Sequence, residues 1–398
     1  MTRILVDATA LPSDRGGVGR YVDALLPALA ARGVDVHVAA QARDTDRYEA
    51  LLGRPHVHSL PGVLASAPAR MLWEQTLLPR LAARLSPDAV LSPHYTMPLA
   101  PIPGARRIVT LHDATFFSDP GLHDGTKAAF FRAWTRLSGR RADHLVVPSE
   151  ATRSELARLA GLAPERMSVV PHGVDHARFR PPTSGEVQAV RARFQLGDRP
   201  FVAFLGTLEP RKNVPALIRA YVDVCAGRSG PPALILAGGR GWDDDVDPAL
   251  AAVPAPLDAR RVGFVPDELV PALLGAAEVV AYPALGEGFG LPLLEAMACG
   301  ACVLTTRRLS LPEVGGDAVA YAESPDTADL AAALTALLDD TGRRHDLGRA
   351  AIARAATYTW DRAARQHLEV FEGAAPHGGV VDDLHTPGGP PTGEGGRP

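Results

Sequence analysis

At 398 residues, 46% hydrophobic and 22% charged, the chain is too long for one ordinary core and too apolar to be disordered, so two globular domains are expected. No apolar run reaches a bilayer span, MTRILVDATA carries no signal-peptide pattern, and three cysteines (Cys225, Cys299, Cys302) cannot pair fully, which points to a reducing cytoplasm. The net charge of −4 is uneven: residues 1–180 carry 22 Lys and Arg against 17 Asp and Glu, too mild a balance for nucleic acid but suited to an anionic surface or substrate.

Short β-branched runs alternate with helical stretches, the pattern of parallel α/β layers. Strands are expected at residues 4–7, 36–39, 57–60, 89–92, 108–111, 145–147 and 169–170. Behind the first strand, LPSDRGGVGRYV leads into a helix over about residues 18–32. Its Gly16, Gly17 and Gly19 imitate a dinucleotide fingerprint, but Val22 stands where the third glycine belongs. The second strand also lacks a ribose-binding acid, which argues against an oxidoreductase. Arg20 reads either as an anion ligand or as a plain helix-surface residue. The strand at 108–111 ends in His112-Asp113, at the edge where open α/β sheets bind ligands, and Asp113 reads equally well as a turn cap. Across residues 127–141, Lys127, Arg132, Arg136 and Arg140 recur at helical spacing, with Phe130, Phe131, Trp134 and Leu137 mostly opposite. That is either a core helix with a solvated basic face or one that meets an anionic membrane or a lipid-linked acceptor.

RFRPPT at 178–183 has two prolines and no period, and reads as the linker between domains 1–180 and 181–356. A second strand series is expected at 201–205, 234–237, 262–264, 279–282, 302–305 and 319–321, with helices at 326–340 and 343–356. In FLGTLEPRKN, Gly206 ends a strand, and Arg211 and Lys212 precede a helix; a planar fork beside a point charge suits a diphosphate, though a solvated turn would look similar. Asp243, Asp244 and Asp245 read as a solvated acidic turn, not a metal site, and the C-x-x-C of Cys299 and Cys302 as small core residues. EGFGLPLLEAMACG at 287–300 is a loop and a helix leading into a strand. Gly288 and Gly290 leave bare N–H groups before a helix opened by Pro292, a seat for phosphate. Glu287 on the loop and Glu295 one turn inside can accept hydroxyls on either side of it, which fits a nucleotide sugar. YTWD at 358–361 opens a last helix, and the Gly/Pro-rich stretch 374–398 is expected to be a disordered tail.

The two glutamates resemble the Glu-x7-Glu motif of retaining GT-B glycosyltransferases, most closely glycosyltransferase family 4, over residues 1 to about 373. The resemblance implies two doubly wound Rossmann-like α/β domains with parallel sheets facing a central cleft. Residues 1–180 would bind the acceptor, 181–356 the nucleotide sugar, and 357–373 would cross back to the first domain. It implies that His112 touches the transferred sugar, Arg211 and Lys212 hold the donor pyrophosphate, Glu287 holds sugar hydroxyls and Glu295 the ribose. The backbone near Val265 would read the base, and Gly17, Gly206, Gly288, Phe289, Gly290 and Leu291 would line the donor seat. His172 stands where the family often has Asn and is read as structural; Ala284 and Gly286 replace a frequent Ser and a larger residue, so the sugar pocket is expected to be roomy. The expected reaction moves a hexose, mannose first, from a nucleoside diphosphate to a hydroxyl of a glycan or lipid-linked acceptor. The configuration would be retained, without metal or cofactor, at the cytoplasmic face of the membrane. GDP-mannose stands ahead of UDP-glucose as donor. The rivals are a sugar-nucleotide epimerase or hydrolase of similar architecture and a non-catalytic sugar-nucleotide-binding protein.

Overall fold

The computed structural model describes residues 1–12, 15–118 and 125–373, so the expected tail at 374–398 lies outside the described residues. Seven parallel strands form the first sheet: β1 (Arg3–Asp7), β2 (Asp35–Gln41), β3 (Val57–Leu60), β4 (Ala89–Ser92), β5 (Arg106–Thr110), β6 (His144–Val147) and β7 (Met167–Val169), in the order β3-β2-β1-β4-β5-β6-β7. Six more form the second: β8 (Phe201–Leu205), β9 (Ala233–Ala237), β10 (Ala259–Gly263), β11 (Val279–Tyr282), β12 (Val303–Thr306) and β13 (Ala320–Ala322), ordered β10-β9-β8-β11-β12-β13. Strands such as FVAFL in β8 and VVAY in β11 are buried on both faces, as parallel strands between two helix layers must be. Each sheet reverses its order once, between β1 and β4 and between β8 and β11, and ligands bind beside the strand ends at such points.

The sequence pattern set some strands late: β7 begins at Met167, not at 169, and β10 is displaced further. β10 begins at Ala259, whereas the residues suggested 262–264, because Arg260 and Arg261 hide a strand that needs no apolar face at the sheet edge. The helix expected from 343 starts earlier, at Thr341, with Asp340 accepting from the Arg343 amide as its cap.

The last helix, Trp360–Glu372, lies against helix Gly16–Ala31 and buries Ala363, Ala364, Val370 and Phe371 in the first-domain core. His367 in this helix meets the Tyr21 hydroxyl at 2.7 Å. The two strands of chain that pass between the domains touch at Gly173, where a Cβ would collide with the backbone of Thr359 and Trp360. Backbone cannot swing aside as a side chain can, so Gly173→Ala is expected to cost about 1–3 kcal/mol and to lower Tm by roughly 2–10 °C. Calorimetry of that variant showing an unchanged Tm would contradict this close approach.

Candidate active site

On the second-domain rim, β8 leads into a single tight turn, Pro210–Lys212, closed by Asn213 in the left-handed region (φ 57°). Pro215 then sits in the first turn of helix Val214–Cys225. The turn buries Lys212 and aims Arg211 across at the loop following β11. Both cations converge on Glu287. Arg211 Nη1 lies 2.5 Å from Glu287 Oε1 and its Nε 2.8 Å from Glu209. Lys212 Nζ donates to Glu287 Oε1 and to the Tyr282 hydroxyl, and Tyr282 in turn donates to Glu287 at 2.8 Å.

Burial alone would push the Glu287 carboxyl up, but the Arg211 and Lys212 charges outweigh it and hold it at about 2. Burial, aided by Arg211, pushes Lys212 below its usual value while Glu287 pulls it back. Burial acts the same way on Arg211, yet Glu287 and Glu209 leave it firmly charged. A carboxyl held below its unfolded value supports the fold fully above that value and loses the contribution as pH falls through the folded one. The Tm advantage of the wild type over Glu287→Gln is therefore expected to be constant near neutrality and to shrink as pH drops from 4.5 towards 2. A gap that does not change with pH would contradict the ion trio.

The loop carrying Glu287 is clamped from both domains. Ser149 and Thr152 donate to the Gly288 carbonyl at 2.7 and 3.1 Å, Ser310 donates to the Glu287 carbonyl at 2.8 Å, and Thr306 to that of Ala284 at 2.6 Å. Gly288 lies so close to the first domain that a Cβ there would meet the His112 carbonyl. Gly290 takes a left-handed φ of 94° and hands over to helix Leu291–Ala298. Glu295 is buried in that helix, and Arg20 Nη1 from the first domain contacts both its oxygens at 2.9 Å. Burial raises the Glu295 pKa, with Arg20 and then Arg178 opposing.

His112 extends from β5 into the cleft, its Nε2–H donating to the Pro93 carbonyl at 2.8 Å, which leaves Nδ1 as an acceptor. Burial lowers its pKa, so the ring is neutral at pH 7. Asp113 turns out to be a cap: its Oδ1 accepts from the amide and hydroxyl of Thr115 at 3.0 and 2.8 Å. His172 packs among Tyr21, Phe289 and Trp360, with ring centroids 4.9–5.9 Å away. Phe289 packs against His172, and both line the cleft cavity, while the Val265 side chain belongs to the second-domain core.

A cavity of about 310 Å³ brings together Gly17, Gly206, Arg20, His112, Arg211, Lys212, Glu287, Gly288, Gly290 and Leu291. A second, of about 750 Å³, is walled by Arg20, Arg178, Phe264, Asp267, Leu291 and Glu295. The Arg20–Glu295 pair stands where the two meet. Two cations, a helix N-terminus and bare glycines can cradle a diphosphate in the first, and the exposed Phe264 ring and Glu295 can hold an aromatic base and a diol in the second. A further cavity of about 560 Å³ behind Cys299 and Gly300 contains none of these groups.

Sequence reasoning missed Tyr282, Glu209, Ser149, Thr152 and Ser310. Tyr282 carried a usable signal, because a tyrosine ending a buried strand needs a partner for its hydroxyl. The acidic turn at 243–245 is closed on itself, the Asp245 amide donating to Asp243 at 3.2 Å. Among the described residues, the one group of carboxylates and histidine spaced for a metal ion is Asp7, Glu74 and His94, and it contains none of the cavity residues named above. In helix Gly125–Arg141 the buried face is made of small residues (Ala128, Thr135, Ser138, Gly139), while Phe130 is 38% exposed.

Family models match two stretches: Glycosyltransferase Family 4 over residues 15–178, and Glycosyl transferases group 1 over residues 187–354. The chain is 32% identical to O-antigen chain mannosyltransferase B of Escherichia coli, over 67% of this chain and 70% of that protein. It is 30% identical to D-inositol 3-phosphate glycosyltransferase of Acidothermus cellulolyticus, over 91% and 86% respectively. Among solved structures, HepE of Anabaena in complex with UDP and glucose superposes with a TM-score of 0.74 at 18% identity, covering 94% of this chain and all of that one. WaaG, a glycosyltransferase of lipopolysaccharide biosynthesis, does so with a TM-score of 0.68 at 16% identity, with coverage of 94% and 100%.

Proposed function

The chain belongs to glycosyltransferase family 4 and has the GT-B fold, and from that premise we propose that it moves a hexose, mannose first, from a nucleoside diphosphate to a hydroxyl of a cell-envelope glycan or its lipid-linked precursor. The observation that carries this reading is the Arg211–Lys212–Glu287 trio facing His112 across one cavity, with Glu295 on the wall of the next. Two similar proteins of Escherichia coli, an O-antigen chain mannosyltransferase and a serotype-specific mannosyltransferase, support mannose and an envelope glycan.

In this reading Arg211 and Lys212 stabilise the negative charge that grows on the diphosphate as the sugar–phosphate bond breaks. Glu287, ionised down to about pH 2, can only accept; it holds sugar hydroxyls and donates no proton. The leaving phosphate oxygen takes the acceptor proton on the face it departs from, so the anomeric configuration is retained, unlike the two-carboxylate route of glycosidases. His112 Nδ1 accepts from a hydroxyl of the transferred sugar. Arg211 and Lys212 aim N–H donors at the diphosphate seat, and the reaction is expected to proceed without added metal.

The test is a reaction with GDP-mannose, UDP-glucose and related donors, with and without a mannosyl acceptor. Product formation that needs the acceptor, survives EDTA and gives the donor's own anomeric configuration by NMR supports the reading. Donor isomerised or hydrolysed with no acceptor dependence favours the epimerase or hydrolase. We also propose contact with the cytoplasmic membrane face through residues 127–141, because this helix exposes Phe130 and also Arg136 and Arg140. Replacing Arg132, Arg136 and Arg140 by Ser is expected to weaken binding to anionic liposomes severalfold, about 1 kcal/mol per charge at most. Equal binding by the variant sinks this part alone.

A further inference from the structure

We propose that Arg20 changes partners when the donor binds: it yields Glu295 to the ribose hydroxyls and carries its guanidinium to the diphosphate. The inference rests on the donor reading above and adds to it a third phosphate ligand, supplied by the first domain.

Three observations carry it. First, one Arg20 nitrogen straddles both Glu295 oxygens, each at 2.9 Å. A ribose diol offers two hydroxyl donors to those same oxygens, so diol and guanidinium compete for one carboxylate. Second, the cations beside the phosphate seat are already matched. Arg211 is paired with Glu209 and Glu287, and Lys212 with Glu287, which makes two positive and two negative charges. A diphosphate arriving there adds negative charge to a seat that is neutral. Among the described residues, the remaining cation on that cavity wall is Arg20. Third, Arg20 is free to make the move. Its side chain is 42% exposed and lines both cavities, whereas Lys212 is almost wholly enclosed. When Arg20 leaves, Arg178 still opposes the burial of Glu295, so the carboxylate keeps a cation in its surroundings while it accepts from the sugar.

The exchange couples the two halves of the donor. A nucleoside alone must displace Arg20 and gives it nowhere to go; a nucleoside diphosphate displaces it and supplies its new partner. The exchange replaces one contact between the domains with another, so the cleft stays bridged by Arg20 once the donor is seated.

The test is calorimetric titration of the full-length protein with the nucleoside, the monophosphate and the diphosphate of the base that the wild type prefers. Arg20→Gln is expected to bind the nucleoside about threefold or more tighter and the diphosphate about tenfold weaker, so the preference for diphosphate over nucleoside falls at least roughly 30-fold. Equal losses for both ligands would mean that Arg20 is a fixed part of the ribose site, and no change in either would mean that it touches neither; both overturn the proposal. Should Arg20→Gln not fold, Arg20→Lys, whose shorter side chain and point charge replace the planar fork, is expected to shift the same ratio in the same direction, and an unchanged ratio there overturns it too. Glu295→Gln separates the two levels: diphosphate binding undiminished in that variant overturns the ribose assignment and the exchange with it, whereas binding lost in Glu295→Gln with a wild-type ratio in Arg20→Gln overturns the exchange alone.

Discussion

Lys212→Ala is expected to lower kcat/KM by about 10²–10³-fold, with most of the loss in kcat. The ammonium group is buried at the meeting point of Glu287 and Tyr282, and burial is what makes a cation aimed at a growing charge effective. Its removal takes one of two fixed positive charges from the departing diphosphate. It also leaves Glu287 with Arg211 and Tyr282 as partners, so the carboxylate stays ionised and the loop stays in place. Breaking a buried ion pair costs about 3–5 kcal/mol when the surviving partner is stranded, and here it is not stranded, so the loss of Tm is expected to be smaller than that figure implies. Lys212→Arg is expected to be nearly as damaging as alanine, because a planar fork cannot take the place of a point charge enclosed on all sides. Steady-state kinetics with a parallel Tm measurement checks this. A fall of less than about fivefold in a folded Lys212→Ala protein would remove Lys212 from the catalytic machinery.

The second large effect is expected from a methyl group. At Gly288 a Cβ would meet the His112 carbonyl and lie 2.8 Å from the Cβ of Asp113, while Ser149 and Thr152 hold the Gly288 carbonyl from the same side. These contacts all run between domains, so neither core has to give. The added atom would push the Glu287 loop away from His112. A displacement of about 1 Å between the two halves of an active site can cost 10²-fold in rate, and that is the fall in kcat expected for Gly288→Ala. Nucleotide binding to the second domain is expected to survive largely intact, since Arg211, Lys212 and Glu295 all belong to that domain. An activity within threefold of wild type would show that the domains are not registered through this glycine.

Gly288 also illustrates what a sequence can reveal. Its place in a bare loop before a helix entry could be read from the residues; its close approach to the His112 carbonyl could not, because that partner is far away in sequence and lies in the other domain. Glu287 and Glu295 stood out because their spacing places a loop carboxylate and a helix carboxylate on either side of a helix entry. That Glu287 is gathered with Arg211, Lys212 and Tyr282 follows from the order of β8 and β11, which are neighbours in the sheet but far apart in the chain. Arg20 was left undecided between surface and site for the same reason, as its partner is 275 residues away. Asp113 was open too; it caps the turn through Thr115, two residues on, and also lines the cleft cavity. The alternation of buried strands and helices was legible because parallel sheets bury both faces; β10 was not, because an edge strand with two arginines lacks that signature.

If Arg211, Lys212 and Glu295 form a nucleoside diphosphate site, calorimetric titration of the folded protein with GDP, UDP, ADP and dTDP, without added metal, is the decisive measurement. One-to-one binding of one of them, GDP first, is expected, and it is expected to be lost in Lys212→Ala and in Glu295→Ala. Binding to none of the four, or binding that is unchanged in both variants, would contradict this site.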